Sequence, residues 1–341
     1  METPQSPMAS LISGAKSAAK SAYLNLKSAA IVDRNRDLSK SVFLAGGSRS
    51  GTTWLSELLN HDNAYRFIFE PFGKKQLGTY WYGSYLRPDD ASAGLRDLAE
   101  FVFSGAFHDP WIDQFNKRLV ADRRLIKEVR ANLWLRWLRV QYPQIPVIFL
   151  IRHPVPTVWS RFKRYFEAKD RSPFDPDPEK RTEEYLDYLL GQQALVEDHL
   201  QPMREQIAQA RTVWDQRMFV WCVQNFVPLR QFARGDAHIV FYENVCMDPE
   251  GELRKIFAYL GRDLDAPALE RVWKPSSMAR QRDAMPDPKT LVEGWRRRVP
   301  PADVVRAGEI LRLFGLDAIY SDDPMPDPAG LGRFGQAPAE R

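Results

Sequence analysis

Two cysteines in 341 residues, Cys222 and Cys246, cannot build a disulfide framework, and reduced core thiols are the expected state. No apolar run reaches the about 18 residues that a membrane span needs. Residues Met1 to Pro4 lack the basic and apolar blocks of a secretory signal, so a cytoplasmic location is expected. The five histidines are scattered, no metal-ligand cluster is visible, and no metal is expected. A basic stripe interleaved with aromatics is missing as well, which argues against a nucleic-acid partner. Neither an internal repeat nor a clear domain linker is present.

What is present is ordinary for a globular chain: 44% hydrophobic and 27% charged residues. The net charge of +4 and pI near 8.9 suit an anionic ligand. Residues 9–32 are Ala-rich and carry Lys16, Lys20 and Lys27. They read as a helix that either faces solvent or lies on an anionic membrane as a peripheral contact. The organisation expected is a helical extension over 1–36, one domain over 37–320, and a flexible Pro/Gly/Asp-rich tail over 321–341.

From residue 41 onward short apolar runs alternate with helical stretches, which is the pattern of an α/β protein with a parallel sheet. Strands are expected at 41–45, 65–69, 124–128, 146–151 and 238–242. Helices are expected at 52–60, 92–104, 131–141, 155–167, 181–208, 213–233, 249–260 and 301–314. Residues 170–178 and 274–290 read as surface loops. The fold expected is a P-loop-type, three-layer α/β fold with a central parallel sheet flanked by helices.

Residues 46–55 read GGSRSGTTWL and follow a strand-like SVFLA. The spacing of Gly46 and Gly51 is that of a phosphate-binding P-loop, yet Thr52 and Thr53 stand where a triphosphatase carries Lys and then Ser or Thr. Gly47 lets the backbone approach a ligand. A helix starting near Thr52 directs free N–H groups and a partial positive charge into the loop. Ser48, Ser50, Thr52 and Thr53 add hydroxyls, and Arg49 adds a cation. A tetrahedral anion is the natural occupant. A second anion site is expected where VIFLI ends in Arg152, with Ser160 eight residues on, along the next helix. The ligand would therefore carry two separated anionic groups.

These two motifs together resemble the sulfotransferases that use 3′-phosphoadenosine 5′-phosphosulfate (PAPS). SRSGTTWL is similar to their 5′-phosphosulfate loop, and the pair Arg152 and Ser160 in LIRHPVPTVWSR is similar to their 3′-phosphate motif. Arg49 is similar to the carbohydrate and protein-tyrosine branches, and the stretches FEPFG (69–73), IKEVRANLWLRWL (126–138), FYENVCMDPEGELRKIFAYLG (241–261) and GWRRRVPPADVVRAGEILRLFGL (294–316) resemble the carbohydrate branch. The branch usually has Asp where His153 stands, and no catalytic role is given to His153.

The resemblance implies in-line sulfuryl transfer from PAPS to an acceptor hydroxyl, with a carbohydrate favoured. It implies Glu70 as general base, its pKa raised by partial burial. Arg49 would stabilise the leaving phosphate's charge, and Lys127 would reach the sulfate or the acceptor. Trp54 would stack on adenine, and Arg296, beside Trp295, would belong to a C-terminal element near the donor. Two other readings share the cradle. One is an ATP-dependent P-loop kinase using Glu243 as its acidic metal residue. The other is a non-catalytic module that binds anionic ligands.

Overall fold

The computed structural model describes residues 7–73, 77, 83–167, 178–232, 236–278 and 286–336. Five strands make one parallel sheet: β1 (Ser41–Gly46), β2 (Tyr65–Phe69), β3 (Arg123–Glu128), β4 (Val147–Ile151) and β5 (His238–Phe241). Their order is β2-β3-β1-β4-β5. All pairs are parallel, with Ala45 opposite Glu128, Gly46 opposite Leu150, and Phe69 opposite Lys127. Apart from the more exposed starts of β3 and β5, the strands are buried, as a parallel sheet covered on both faces requires.

Alternation along each strand divides the core. Phe43, Ala45, Ile126 and Phe149 point to one face, where they meet Trp134, Trp137 and the helix Val213–Gln231. Val42, Leu44, Leu125 and Ile148 point to the other, against the helices Thr52–Leu59 and Pro249–Tyr259. The result is the expected three-layer α/β architecture. Cys222 and Cys246 are free and buried.

Several helical elements differ from expectation, among them the short unexpected helices Ala266–Val272 and Pro288–Glu293. The stretch 181–208 is not one helix. Pro178–Leu190 ends at Gly191, and a π-helical turn at Val196–Leu200 and a 3-10 turn at Gln201–Met203 precede Arg204–Ala208. Pro202, which has no N–H, interrupts a continuous ladder there. The segment after Phe241 turns at once into a helix, Tyr242–Met247. The tail is folded: Ala329–Gln336 is helical, and buried Phe334 packs edge-on against Phe226 at 5.7 Å. A single anchoring aromatic overrides the Pro/Gly-rich composition around it. Most of the loop expected at 170–178, and residues 279–285 of the second one, lie outside the described residues.

The amino-terminal helix, α1 (Pro7–Ala30), is attached at its C-terminal end. Ser28 donates to Asp113 at 2.7 Å, and Lys27 Nζ to the Gln114 carbonyl at 3.0 Å. Beneath it, Arg66 of β2 and Arg124 of β3 are buried with Asp33 and Asp113 as partners. Pairing of this kind is what lets four charges sit in a dry interior. No helix among the described residues is long and apolar enough to cross a membrane.

Candidate active site

In a parallel sheet every strand ends at the same edge. Here that edge carries, in spatial order, Glu70 after β2, Lys127 and Glu128 at the end of β3, the loop from Gly47 after β1, Arg152 after β4, and Tyr242 after β5. Residues 111 positions apart in sequence meet here: Arg49 Nε donates to Ser160 Oγ at 3.1 Å. Arg152 donates to the Arg49 carbonyl at 3.3 Å, and its guanidinium lies 4.1 Å over the Tyr242 ring. Arg49, Arg152 and Ser160 thus form one cationic group at the mouth of the loop.

The loop's geometry follows from its glycines. Gly51 adopts φ 99°, and a Cβ there would stand 2.6 Å from the Tyr242 ring. A Cβ on Gly46 would stand 2.6 Å from the Leu150 carbonyl, whereas Gly47 borders open space. The helix Thr52–Leu59 begins with Gly51 as N-cap and has no side-chain cap, so its first N–H groups are available to a ligand. Arg49 itself has φ 72°. A non-glycine residue held in the left-handed region costs about 1–3 kcal/mol and persists only where its surroundings enforce it. The bond from Arg152 to its carbonyl is one such constraint.

An expected hydroxyl donor, Ser50, and the expected stacking ring, Trp54, face the interior. Ser50 is buried and donates to the Gly47 carbonyl at 2.7 Å, closing the loop instead of lining it. Trp54 is 5% exposed, donates to the Val272 carbonyl at 3.2 Å, and meets Tyr242 edge-on at 5.5 Å. Adenine stacking needs a free ring face, and in this structure the Trp54 ring is covered by the core. The exposed aromatic next to its bonding partner is Trp273, at 52%.

The second group is carboxylate-centred. Glu70, at φ 47°, extends the β2–β3 ladder by one bond, from its N–H to the Lys127 carbonyl at 2.8 Å. Lys127 Nζ donates to Glu70 Oε1, and Arg130 donates to Oε2 at 2.9 Å. The Lys127 ammonium is nearly buried and also sits 4.6 Å over the Phe69 ring. Burial pushes the Glu70 pKa up, but Lys127 and Arg130 outweigh it and hold the carboxyl below its ordinary value. The expected rise is therefore reversed, because two cations face one half-buried acid. Burial pulls the Lys127 pKa down against the attraction of Glu70.

Two residues without an assigned role shape this group. Glu128 is fully buried and accepts from the N–H groups of Phe72, Val129 and Arg130. It ties the Glu70 turn to the end of β3. Arg130 bridges Glu70 and Glu128. Both stand in the stretch IKEVR, where the apolar run ends in charge.

His153 and Glu243 are structural. His153 is buried, stacks on Trp295 at 4.9 Å, and is pushed down to about 4 by burial. Glu243 accepts from the His153 N–H at 2.8 Å and from the Tyr320 hydroxyl at 3.2 Å. Burial pushes it up to about 7. A carboxyl so placed is occupied with the fold, not open to a metal at the loop. Arg296 is exposed and donates to the Asp322 carbonyl at 2.6 Å, tying the folded tail to the Trp295 turn.

The sulfotransferase family model matches residues 41–266, from β1 through the site to the start of the Ala266–Val272 helix. No curated protein matches the chain. Among solved structures, the chain is similar to the sulfotransferase domain from the curacin biosynthetic pathway, at 14% identity over 83% of this chain and 98% of that one, TM-score 0.41. Mouse sulfotransferase SULT7A1 complexed with PAP is similar at 14% identity over 89% and 91%, TM-score 0.43. Retinol dehydratase, in complex with androsterone and inactive cofactor PAP, is similar at 16% identity over 85% and 83%, TM-score 0.37. With most of its length matched, including every strand of the sheet and the loop at its edge, the chain belongs to the sulfotransferase family.

Proposed function

We propose that the protein transfers a sulfuryl group from PAPS to an acceptor hydroxyl, and that the acceptor is a carbohydrate. The observation that carries this reading is the pairing of two groups on one sheet edge: a cationic cradle of Arg49, Arg152 and Ser160, and a carboxylate held by lysine. Their outer members, Glu70 and Arg152, follow strands three places apart, roughly 14 Å at ordinary strand spacing, while Lys127 and the Arg49 loop follow neighbouring strands, which suits a donor whose 3′-phosphate lies at one end and whose sulfuryl group reaches the carboxylate group at the other.

The residues fit the donor. Arg152 Nε is buried without a hydrogen-bond partner, an omission that an anion would repair. The uncapped helix at Thr52 and the open side of Gly47 offer N–H donors to the phosphosulfate. Thr53 and Ser48 are half-exposed on this loop and offer their hydroxyls. Arg152 and Ser160 would hold the 3′-phosphate, and Trp273 would supply the stacking face for adenine. PAPS supplies an activated sulfuryl group whose leaving group is a phosphate that needs no protonation.

Arg49 would meet negative charge growing on the bridging oxygen, by charge-assisted bonds. Glu70 would take the acceptor's hydroxyl proton as the new S–O bond forms and the bond to phosphate breaks. With two cations beside it, Glu70 is ionised at neutral pH but weakly basic. An anionic sulfuryl group near Lys127 would compete for the ammonium and let the Glu70 pKa rise, strengthening the base as the donor arrives. The carbohydrate acceptor rests on the resemblance of residues 69–73, 126–138, 241–261 and 294–316 to the carbohydrate branch.

The test is transfer of labelled sulfate from PAPS to a panel of glycans, sterols and phenols. Label on a glycan supports the full reading. Label only on a sterol or phenol removes the carbohydrate, and no label on any acceptor, with PAP bound, removes the catalytic reading.

A further inference from the structure

We propose that α1 and the short ladder beside it form a docking face for an anionic lipid surface, at the edge of the sheet opposite the active site. The two sides of α1 differ in burial. Leu24, Lys27 and Ser28 turn towards the body, since Ser28 is buried and the other two are half-buried. The opposite side holds Ala15, Ala19, Ala22, Leu26 and Ala30, at the i, i+4, i+7 spacing of one helical face. All five are exposed, and Leu26 is 74% exposed. A surface helix ordinarily buries its apolar stripe; this one turns it outward.

The stripe does not stand alone. Val32 pairs with Val120 in a two-residue parallel ladder, and Val32 N–H donates to the Leu119 carbonyl at 2.7 Å. Val32, Leu119 and Val120 are all exposed, as is Tyr23 on the helix. An apolar surface spread over two elements is more than the scattered exposure usual on a monomer.

Charge identifies the occupant. The helix Pro7–Ala30 contains no acidic residue; Lys16 borders the stripe, and Lys20, exposed one turn on, lies further round towards the Lys27 side, from which its long side chain can reach a lipid headgroup. Residues 14–40 and 117–123 together hold nine Lys or Arg against three Asp, Asp33, Asp37 and Asp122. That is nine minus three, a net +6, where the whole chain is +4; the rest of the protein is net negative. Apolar side chains flanked by cations are the signature of a helix lying in a lipid interface. The anchoring contacts to Asp113 and Gln114 fix the base of α1. The segment that follows the helix reaches the strand starts, where Arg124 donates to the Asn35 carbonyl and to Ser41 Oγ at 2.8 Å, so docking on this side would leave the catalytic edge open to its substrates.

The experiment is co-sedimentation of the full chain with vesicles of phosphatidylcholine alone, or mixed with phosphatidylglycerol. Binding is expected on the mixed vesicles, weakened by high salt, and weak on phosphatidylcholine. Ala19→Asp combined with Leu26→Asp, and separately Lys16→Glu combined with Lys20→Glu, should each lower binding at least about tenfold. Helical content and PAP binding should not change, so failure here is distinguishable from failure of the sulfotransfer reading. Equal binding by wild type and the stripe variant, or no wild-type binding to either vesicle, overturns the proposal. Self-association that the stripe variant abolishes, without vesicle binding, would assign the face to a second copy and also overturn it.

Discussion

Replacing Arg152 by alanine should erase the protein's ability to tell 3′-phosphoadenosine 5′-phosphate (PAP) from AMP. The two ligands differ only in the 3′-phosphate, the group assigned to Arg152 and Ser160. The Arg152 guanidinium spends one N–H on the Arg49 carbonyl at 3.3 Å and rests on Tyr242 at 4.1 Å, while its Nε has no partner. It therefore retains donors for a phosphate. Each charge-assisted bond contributes about 1.5–3 kcal/mol, or about 10- to 150-fold in Kd. Wild type should prefer PAP by at least about tenfold, and Arg152→Ala should lose most of that preference. AMP affinity should fall less, through the lost support of the Arg49 backbone. Arg152→Lys keeps charge without the fork and should fall between. Calorimetric titration of both ligands into each variant reads the effect directly. An Arg152→Ala protein that keeps the full preference would show that the 3′-phosphate binds elsewhere.

Two further substitutions separate site from scaffold. Trp54→Ala should destabilise the fold by about 3–5 kcal/mol in urea titration, as loss of a buried aromatic does. Trp273→Ala should leave stability unchanged and weaken PAP by the about 1–3 kcal/mol of a base–aromatic stack; the reverse pattern would restore Trp54 as the platform. Glu243 gives a pH prediction. Burial raises its folded pKa to about 7 from 4.5. Its stabilising contribution is therefore complete below the unfolded value and is lost as pH rises through the folded one. Glu243→Gln should gain on wild type by about 2–3 kcal/mol between about pH 5 and pH 8. His153, whose slope is opposite, is present in both proteins and cancels; parallel stability curves would refute the assignment.

The sheet was legible because parallel strands buried on both faces are written as unbroken apolar runs. SVFLAG, YRFIF and VIFLI sit within a residue of where the sequence puts them. The cradle was legible because glycine spacing fixes a loop before anything packs on it. Less visible was what depends on neighbours from other strands. Glu70 reads alone as a half-buried acid whose pKa should rise, and only the parallel pairing of β2 with β3 brings Lys127 and Arg130 to reverse that. Trp54 follows the threonines, but the helix turns its ring inward to Val272. Asp-Ala-Pro at 265–267 and Asp-Pro at 287–288 carry capping residues, yet neither short helix is among those expected, and Pro288–Glu293 begins inside the loop expected at 274–290. The folded tail had no such signal, because burial of Phe334 is decided by Phe226, 108 positions away.

On the proposed reading, the cationic cradle and the carboxylate group on the sheet edge act on one reaction. Single-turnover sulfate transfer from PAPS, measured beside PAP affinity for wild type, Glu70→Gln and Arg49→Ala, tests it most directly. Glu70→Gln should slow transfer about 10²–10⁴-fold with PAP affinity nearly unchanged, because glutamine keeps the shape and cannot take the proton. Arg49→Ala should weaken both, since its charge meets bound donor and leaving group alike. Transfer by Glu70→Gln at the wild-type rate, with chemistry limiting, would contradict the account and move the base away from this carboxylate.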